Sequence, residues 1–318
     1  MTSSHGFTSA FAGQLEAYLG FKQAMGCYGT SRIWYLRQFD AYCTGQRRTV
    51  FDRDTVEGWV QTRLDKCGRY RSWMSYIRDF GRWLRIHHDE HAYVLSDRWK
   101  APVVPADPYL LDSAQIEEFF TAAARLTVPS PWRWQAVAFF TLMHSCGIRT
   151  GEARALRTEQ VDLHGAHLDI VGGKGNRSRR LPITGQVADV LAACDQASRH
   201  AFGARATFFV SSTGKPVTGA AVALMFHRIW DQAGLARPAD GRRPRPYDLR
   251  HHFAYANLER WMANGQDVAA LLPYLSRYMG HATFESTYYY VHTSPDFMSG
   301  YADITAAREH LLPEVGFA

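Results

Sequence analysis

The sequence predicts a mainly α-helical chain with a small antiparallel β-sheet: an all-α N-terminal domain over residues 1–105, then a mixed α+β domain over 106–318. Three observations predict it. The first hundred residues repeat apolar positions at helical spacing between short polar turns. The proline-bearing stretch WKAPVVPADPYLL, Trp99 to Leu111, resists helix continuation and reads as an interdomain linker. Beyond it helical periods resume, interrupted by HLDIVGGKGNRSRRLPI, His167 to Ile183, two short strands around a Gly-rich turn.

Four helices are expected in the first domain, over Thr8 to Met25, Thr30 to Thr44, Asp54 to Lys66 and Tyr70 to His87. In the fourth, Trp73, Ile77, Phe80 and Leu84 share one face, while Arg71, Arg78, Arg82 and Arg85 recur on the other. Asp79 is the only acid in that segment, so the arginines form a nearly unmixed positive stripe, suited to phosphates. In the second domain LDSAQIEEFFTAAARL and WQAVAFFTLMHSCG are helical in period, and after the hairpin further helices are expected around Thr218 to Ala233, Tyr247 to Asn264 and Asp267 to Tyr278.

Composition narrows the function. At 318 residues and 46% hydrophobic content the chain can fill a core in each of two domains. No basic-plus-apolar leader opens the sequence, and no apolar run approaches the ~18 residues that cross a bilayer, so a cytoplasmic protein without membrane contact is expected. Cys27, Cys43, Cys67, Cys146 and Cys194 are odd in number and far apart, with no CxxC pair for zinc or redox chemistry, and should be reduced. The net charge of +6 is concentrated at the front: residues 1–105 carry 15 Lys+Arg against 10 Asp+Glu, and 106–318 carry 21 against 20. A polyanionic partner is consistent with that asymmetry.

Four segments of the second domain carry candidate chemistry. In HSCGIRTGEARAL, His144 to Leu156, Arg149 stands at the entrance of a short helix with Glu152 in its first turn, where a planar guanidinium and free backbone N–H groups converge on an anion or, more plainly, form a salt bridge. Lys174 sits at the hairpin tip in GGKGN, which lacks the GxxxxGK[ST] pattern of a nucleotide phosphate loop; Arg177, Arg179 and Arg180 make the outgoing strand basic. GRRPRPYDLRHHFAYANL, Gly241 to Leu258, leads a basic loop into a helix bearing Arg250; His251 and His252 are adjacent, point about 100° apart on a helix and cannot chelate one metal together. Finally MGHATFESTYYYVHTS, Met279 to Ser294, sets Tyr288, Tyr289 and Tyr290 between two histidines. That run is either a buried strand with its tyrosines on alternating faces or the seat of a tyrosyl nucleophile.

In order, G-x-R with a later Glu, the hairpin G-K-G-N-[KR], x-x-L-R-H ahead of a helix, and G-H followed by Tyr in Y-x-H resemble the tyrosine recombinase family, the phage integrase-like enzymes of mobile elements. The match covers about Tyr109 to His292, and FFVSSTGKPVTGAAVALMFHRIWDQAGL resembles the segment before the family's second arginine. The resemblance implies a core-binding N-terminal domain and a catalytic domain of the tyrosine recombinase type. It implies that Arg149 and Arg250 grip the scissile phosphate, Lys174 protonates the leaving oxygen, His281 supports the phosphate and Tyr290 attacks, giving a covalent 3′-phosphotyrosine and two rounds of transesterification without metal, ATP or other cofactor. Double-stranded DNA is the implied partner, with a homotetramer on two duplexes, alone or with other recombinases; Arg71, Arg78, Arg82, Arg85, Arg177 and Arg179 are the expected DNA contacts. The tail DFMSGYADITAAREHLL is expected to dock on a neighbour. One position departs from the family: Tyr247 stands three residues before Arg250, where the family has His, and serves either as a base with a lowered pKa or as a hydrogen-bond donor. The alternatives are a DNA-binding homologue that does not recombine, a type IB topoisomerase-like relaxing enzyme, and a metal-dependent nuclease.

Overall fold

The computed structural model describes residues 5–27, 29–67, 71–99, 108–173, 177–238, 243–281, 283 and 285–293. The chain divides into two compact units, Met1–Pro105 and Ala106–Ala318. It is mostly helical, with one three-stranded antiparallel sheet.

The first unit holds α1 (Ala12–Ala24), α2 (Thr30–Gly45), α3 (Arg53–Cys67) and α4 (Met74–His87). Its core is aromatic: Tyr18, Phe39, Phe51, Trp59, Trp73 and Phe80 are almost fully buried, and Trp59 meets Trp73 edge to face at 5.0 Å. Burying a side chain of this size stabilises by roughly 2–3 kcal/mol, with about 1 more where edge-to-face geometry is met. Two carboxylates tie the helices. Asp40 accepts from the backbone N–H groups of Thr8 and Ser9, and Asp79 accepts from Lys22, Arg32 and the Tyr18 hydroxyl.

The arginine stripe of α4 is not the open face that the sequence suggests. The chain after the helix folds back across it, so closely that a Cβ on Gly81 would lie 2.5 Å from the Tyr93 carbonyl oxygen. Arg78 is buried beneath this strap, donating from Nε to Leu95 O (2.8 Å) and from Nη2 to Ser96 O (3.1 Å). Arg85 spends Nε and Nη2 on Ala92 O, and Arg71 reaches Trp99 O at 3.4 Å. Only Arg82 of the four projects into solvent with no such partner among the described residues. The helix forms at the expected period, but a strap whose carbonyls need donors takes up the cationic face.

In the second unit α5 (Ser113–Ala124) and α6 (Trp132–Ser145) precede a short α7 (Thr150–Ala155), then β1 (Val161–Asp162), β2 (His167–Gly173) and β3 (Arg177–Pro182). Four longer helices and a short one follow: α8 (Gly185–Phe202), α9 (Gly219–Gln232), α10 (Pro246–Ala263), α11 (Val268–Met279) and α12 (Glu285–Thr293). Helix α6 is apolar nearly all round, burying Ala136, Phe139, Phe140, Leu142 and Met143, and packs against α5, α8 and α10 as the central post. The sheet order is β1-β2-β3, with Leu168 opposite Leu181 and Ile170 opposite Arg179, so Leu168, Ile170 and Leu181 point into the core. A register shift between Ile170 and Gly173 kinks the hairpin toward its tip.

Helix α8 was not expected from the sequence. Its N-cap is Thr184, whose hydroxyl accepts from Val187 N, and its buried face is Val187, Leu191, Cys194 and Ser198, small enough to give a weak apolar signal. The three tyrosines lie on α12, so the buried-strand reading fails: steps of about 100° leave Tyr288 exposed, Tyr289 half-buried and Tyr290 at 2% exposure. Among the described residues no helix is long and apolar enough to cross a membrane.

Candidate active site

The site is organised by the end of one helix. Helix α11 stops at Gly280, which takes a left-handed conformation (φ +70°) that glycine alone adopts without strain. The stop exposes three successive carbonyls, and each accepts from a different arginine. Arg179 Nε donates to Tyr278 O (2.8 Å), Arg250 Nη2 to Met279 O (2.9 Å) and Arg149 Nη2 to Gly280 O (2.6 Å). The negative end of the helix dipole faces the same three cations, which stabilises their convergence. A Cβ on Gly280 would fall 2.7 Å from Arg179 Nη1, a second reason for glycine there.

Each arginine arrives from a different element. Arg149 is the N-cap of α7; Glu152 in that helix's first turn accepts from its backbone N–H (3.0 Å) and from its Nη1 (2.8 Å). Glu152 also accepts both Nη1 and Nη2 of Arg179, at 3.0 and 2.9 Å, so one carboxylate clamps two guanidiniums. Burial opposes its ionisation, yet the bonds from Arg179 and Arg149 hold its pKa down to about 2. Arg250, on the first turns of α10, is fully buried and also donates to Gly147 O, while its Nε has no partner among the described residues. Burial presses the Arg250 pKa down, with the positive charge of Arg149 in the same direction. Gly147 itself is at φ +58° with Phe253 against its Cα, which brings its carbonyl within reach of Arg250.

Beside the arginines, His281 follows Gly280 and shares a 2.7 Å hydrogen bond through Nδ1 with the buried hydroxyl of Thr287. Burial, then Arg250, Arg149 and Arg179, lowers its pKa to about 3, so the imidazole is neutral at pH 7. Tyr290 packs in a ring cluster with His281 (6.1 Å, stacked), His251 (5.5 Å, edge-on) and Tyr255 (5.4 Å, edge-on). Burial raises its pKa and Arg250 partly opposes the rise, so the phenol is held protonated. Tyr247 is half-buried, with the Arg250 guanidinium 5.9 Å over its ring and His251 edge-on at 4.8 Å.

The structure therefore brings Arg149, Arg250, Tyr247, His281 and Tyr290 together. Lys174 and the C-terminal tail lie outside the described residues, as do the linker residues 100–107; of Arg177 only the strand backbone is described. Arg179, expected as an outward contact from the hairpin, turns inward to Glu152 and the end of α11. The sequence held a cue: in Ile170↔Arg179 pairing, every second residue of β3 faces the side of the sheet that Ile170 and Leu181 bury. The carbonyl ladder of α11 and the Thr287 and His251 contacts are tertiary and had no signal in the sequence.

An α-rich unit thus gathers three arginines at the end of one helix, with a histidine and a buried tyrosine beside Arg250. The phage integrase family model matches residues 110–296, and the chain belongs to that family. A Sinorhizobium fredii protein named as an integrase/recombinase, y4rB, is 34% identical over 300 residues, covering 91% of this chain and 95% of the relative. The tyrosine recombinase XerC of Azotobacter vinelandii is 31% identical over 266 residues, covering 81% and 78%. The Tn1549 transposon integrase, solved in complex with transposon right end DNA, shares the fold with a TM-score of 0.62 at 15% identity, covering 92% of this chain and 99% of that one. The function is site-specific DNA recombination by a tyrosine recombinase, and these relatives do not favour the non-recombining or relaxing alternatives.

Proposed function

We propose that the unit 106–318 cleaves and rejoins duplex DNA with Tyr290 as nucleophile, Arg149 and Arg250 as the phosphate clamp, His281 as a hydrogen-bonding support and Lys174 as the acid for the leaving 5′-oxygen, while the unit 1–105 binds the duplex beside it. The observation that carries this is the convergence of Arg149 and Arg250 on adjacent carbonyls at the end of α11, Gly280 O and Met279 O, with Arg250 and His281 beside the buried Tyr290.

A phosphodiester gains negative charge as the fifth ligand adds, so always-cationic, pre-oriented guanidiniums favour the transition state over the ground state. Their carbonyl partners fix direction without neutralising them, whereas Glu152 neutralises part of the charge and prevents repulsion between Arg149 and Arg179. The bond formed to Tyr290 is an ester of similar energy to the one broken, so neither metal nor ATP is needed to reseal the strand. Two duplexes must be held for exchange, which calls for four protomers; the λ integrase tetramer on a Holliday junction, a neighbour with a TM-score of 0.56, supports that assembly by analogy of fold. A DNA substrate fits a cytoplasmic site of action.

The test is a nicked duplex made from DNA flanking the gene, incubated with the full chain in EDTA and run on a denaturing gel. A covalent protein–DNA band on the 3′-phosphate side is expected. Free hydrolysed ends, or a band that requires divalent metal, contradict the proposal.

A further inference from the structure

Tyr290 presents a chemical problem that the arginines do not solve. Its phenol is buried and protonated, and cations around it can stabilise a phenolate but cannot remove the proton. The position that holds an imidazole in the family's pattern is Tyr247 here. His281 lies flat against the Tyr290 ring, with Nδ1 engaged by Thr287.

One other imidazole touches the nucleophile. His251 follows Arg250 on α10, and its ring stands edge-on to Tyr290 (5.5 Å between centres) and edge-on to Tyr247 (4.8 Å). It also reaches Tyr289 at 6.3 Å. Its Nδ1 is buried with no hydrogen-bond partner among the described residues. A buried polar nitrogen without a partner costs free energy and calls for a partner that comes with substrate or with movement of a neighbour.

We propose that His251 is the general base of strand cleavage, taking the Tyr290 hydroxyl proton in place of the imidazole that Tyr247 displaces. This rests on Tyr290 being the nucleophile. In the cleavage step Tyr290 Oη bonds to phosphorus, its proton passes to Nδ1 of His251, and the phosphorus–O5′ bond breaks with its electron pair going to the 5′-oxygen, which takes a proton from its own acid. In resealing, the imidazolium returns the proton to Oη as the 5′-hydroxyl attacks. Tyr247 then packs and orients the ring.

The surroundings suit a base that stays neutral until substrate arrives. Burial first, then Arg245 and Arg250, lower the His251 pKa to about 4. The titratable and charged groups around it are Arg245 at the N-cap of α10, Tyr247 and Arg250 on that helix, Tyr289 and Tyr290 on α12, and His281. A phosphate bound by Arg149 and Arg250 offsets the cations, so the ring becomes more basic when a proton must be taken.

The test uses the full chain on a nicked duplex that the wild type converts to covalent adduct, and on the same duplex with a 5′-bridging phosphorothiolate, whose leaving thiolate needs no acid. His251→Gln is expected to bind DNA within a few-fold of wild type and to form adduct about 100-fold more slowly on both substrates, within the range for acid–base assistance. His251→Ala should regain adduct, at least about tenfold, in added imidazole, a response that a packing role does not give. Wild-type rates in His251→Gln, recovery on the phosphorothiolate, parallel loss of DNA binding, or indifference of His251→Ala to imidazole would each overturn the assignment. The underlying reading is checked separately: an adduct formed by Tyr290→Phe removes Tyr290 as nucleophile whatever His251 does.

Discussion

Replacing Glu152 by Gln removes a charge and keeps the shape. Glu152 is 8% exposed and bound to Arg149 and Arg179 through four contacts of 2.8 to 3.0 Å. Its carboxyl titrates at about 2 against an ordinary 4.5, and at ~1.4 kcal/mol per tenfold in proton affinity the ionised form contributes about 3 kcal/mol. Breaking a buried ion pair from one side costs about 3–5 kcal/mol, so the two routes agree. Because the folded pKa is depressed, this stability is present above pH 4.5 and is lost as pH falls through about 2. Urea unfolding of wild type and Glu152→Gln followed from pH 7 to 3 should therefore give a gap of about 3 kcal/mol at pH 7 that shrinks to about half by pH 3. A gap independent of pH would make Glu152 a packing residue, and no gap would refute the clamp.

Three other outcomes follow from the geometry. Arg149→Ala and Arg250→Ala should each slow adduct formation about 100- to 1000-fold while changing DNA affinity far less; equal losses in binding and rate, measured by gel shift and single-turnover cleavage, would make them ordinary phosphate anchors. Gly280→Ala should destabilise the protein by about 1–3 kcal/mol in urea, since φ is +70° and the new Cβ meets Arg179 at 2.7 Å, and should cut cleavage as well; a silent substitution would refute the tight stop of α11. Arg82→Ala should lower the salt slope of DNA binding by about 1, whereas Arg78→Ala should lower stability because it frees the carbonyls of Leu95 and Ser96; a slope change from Arg78 alone would reverse that assignment.

Much of this was legible in the sequence because periodicity and spacing are local. The helix from Pro246 to Ala263 carries Arg250 three residues after Tyr247, and the α11 stop at Gly280 is a C-cap that the sequence spells out. What stayed hidden was decided by contacts far apart in the chain. Arg78 looks solvated until residues 92–96 fold over it, and α8 hides its apolar stripe in Ala, Cys and Ser. The three tyrosines suit a strand by propensity, yet tertiary packing against α10 and α11 makes them a helix. Arg179 reads as one more basic residue of a hairpin, and only the fold sets it on Glu152 and Tyr278 O, 99 residues away in sequence.

In the proposed reaction, the buried one of three adjacent tyrosines, Tyr290, becomes joined to DNA. The direct measurement is proteolysis of the covalent adduct followed by mass spectrometry of the nucleotide-bearing peptide, in wild type and in Tyr290→Phe. The nucleotide is expected on Tyr290 in wild type, with no adduct in the variant. A nucleotide on Tyr288 or Tyr289, or an adduct that persists in Tyr290→Phe, would contradict it.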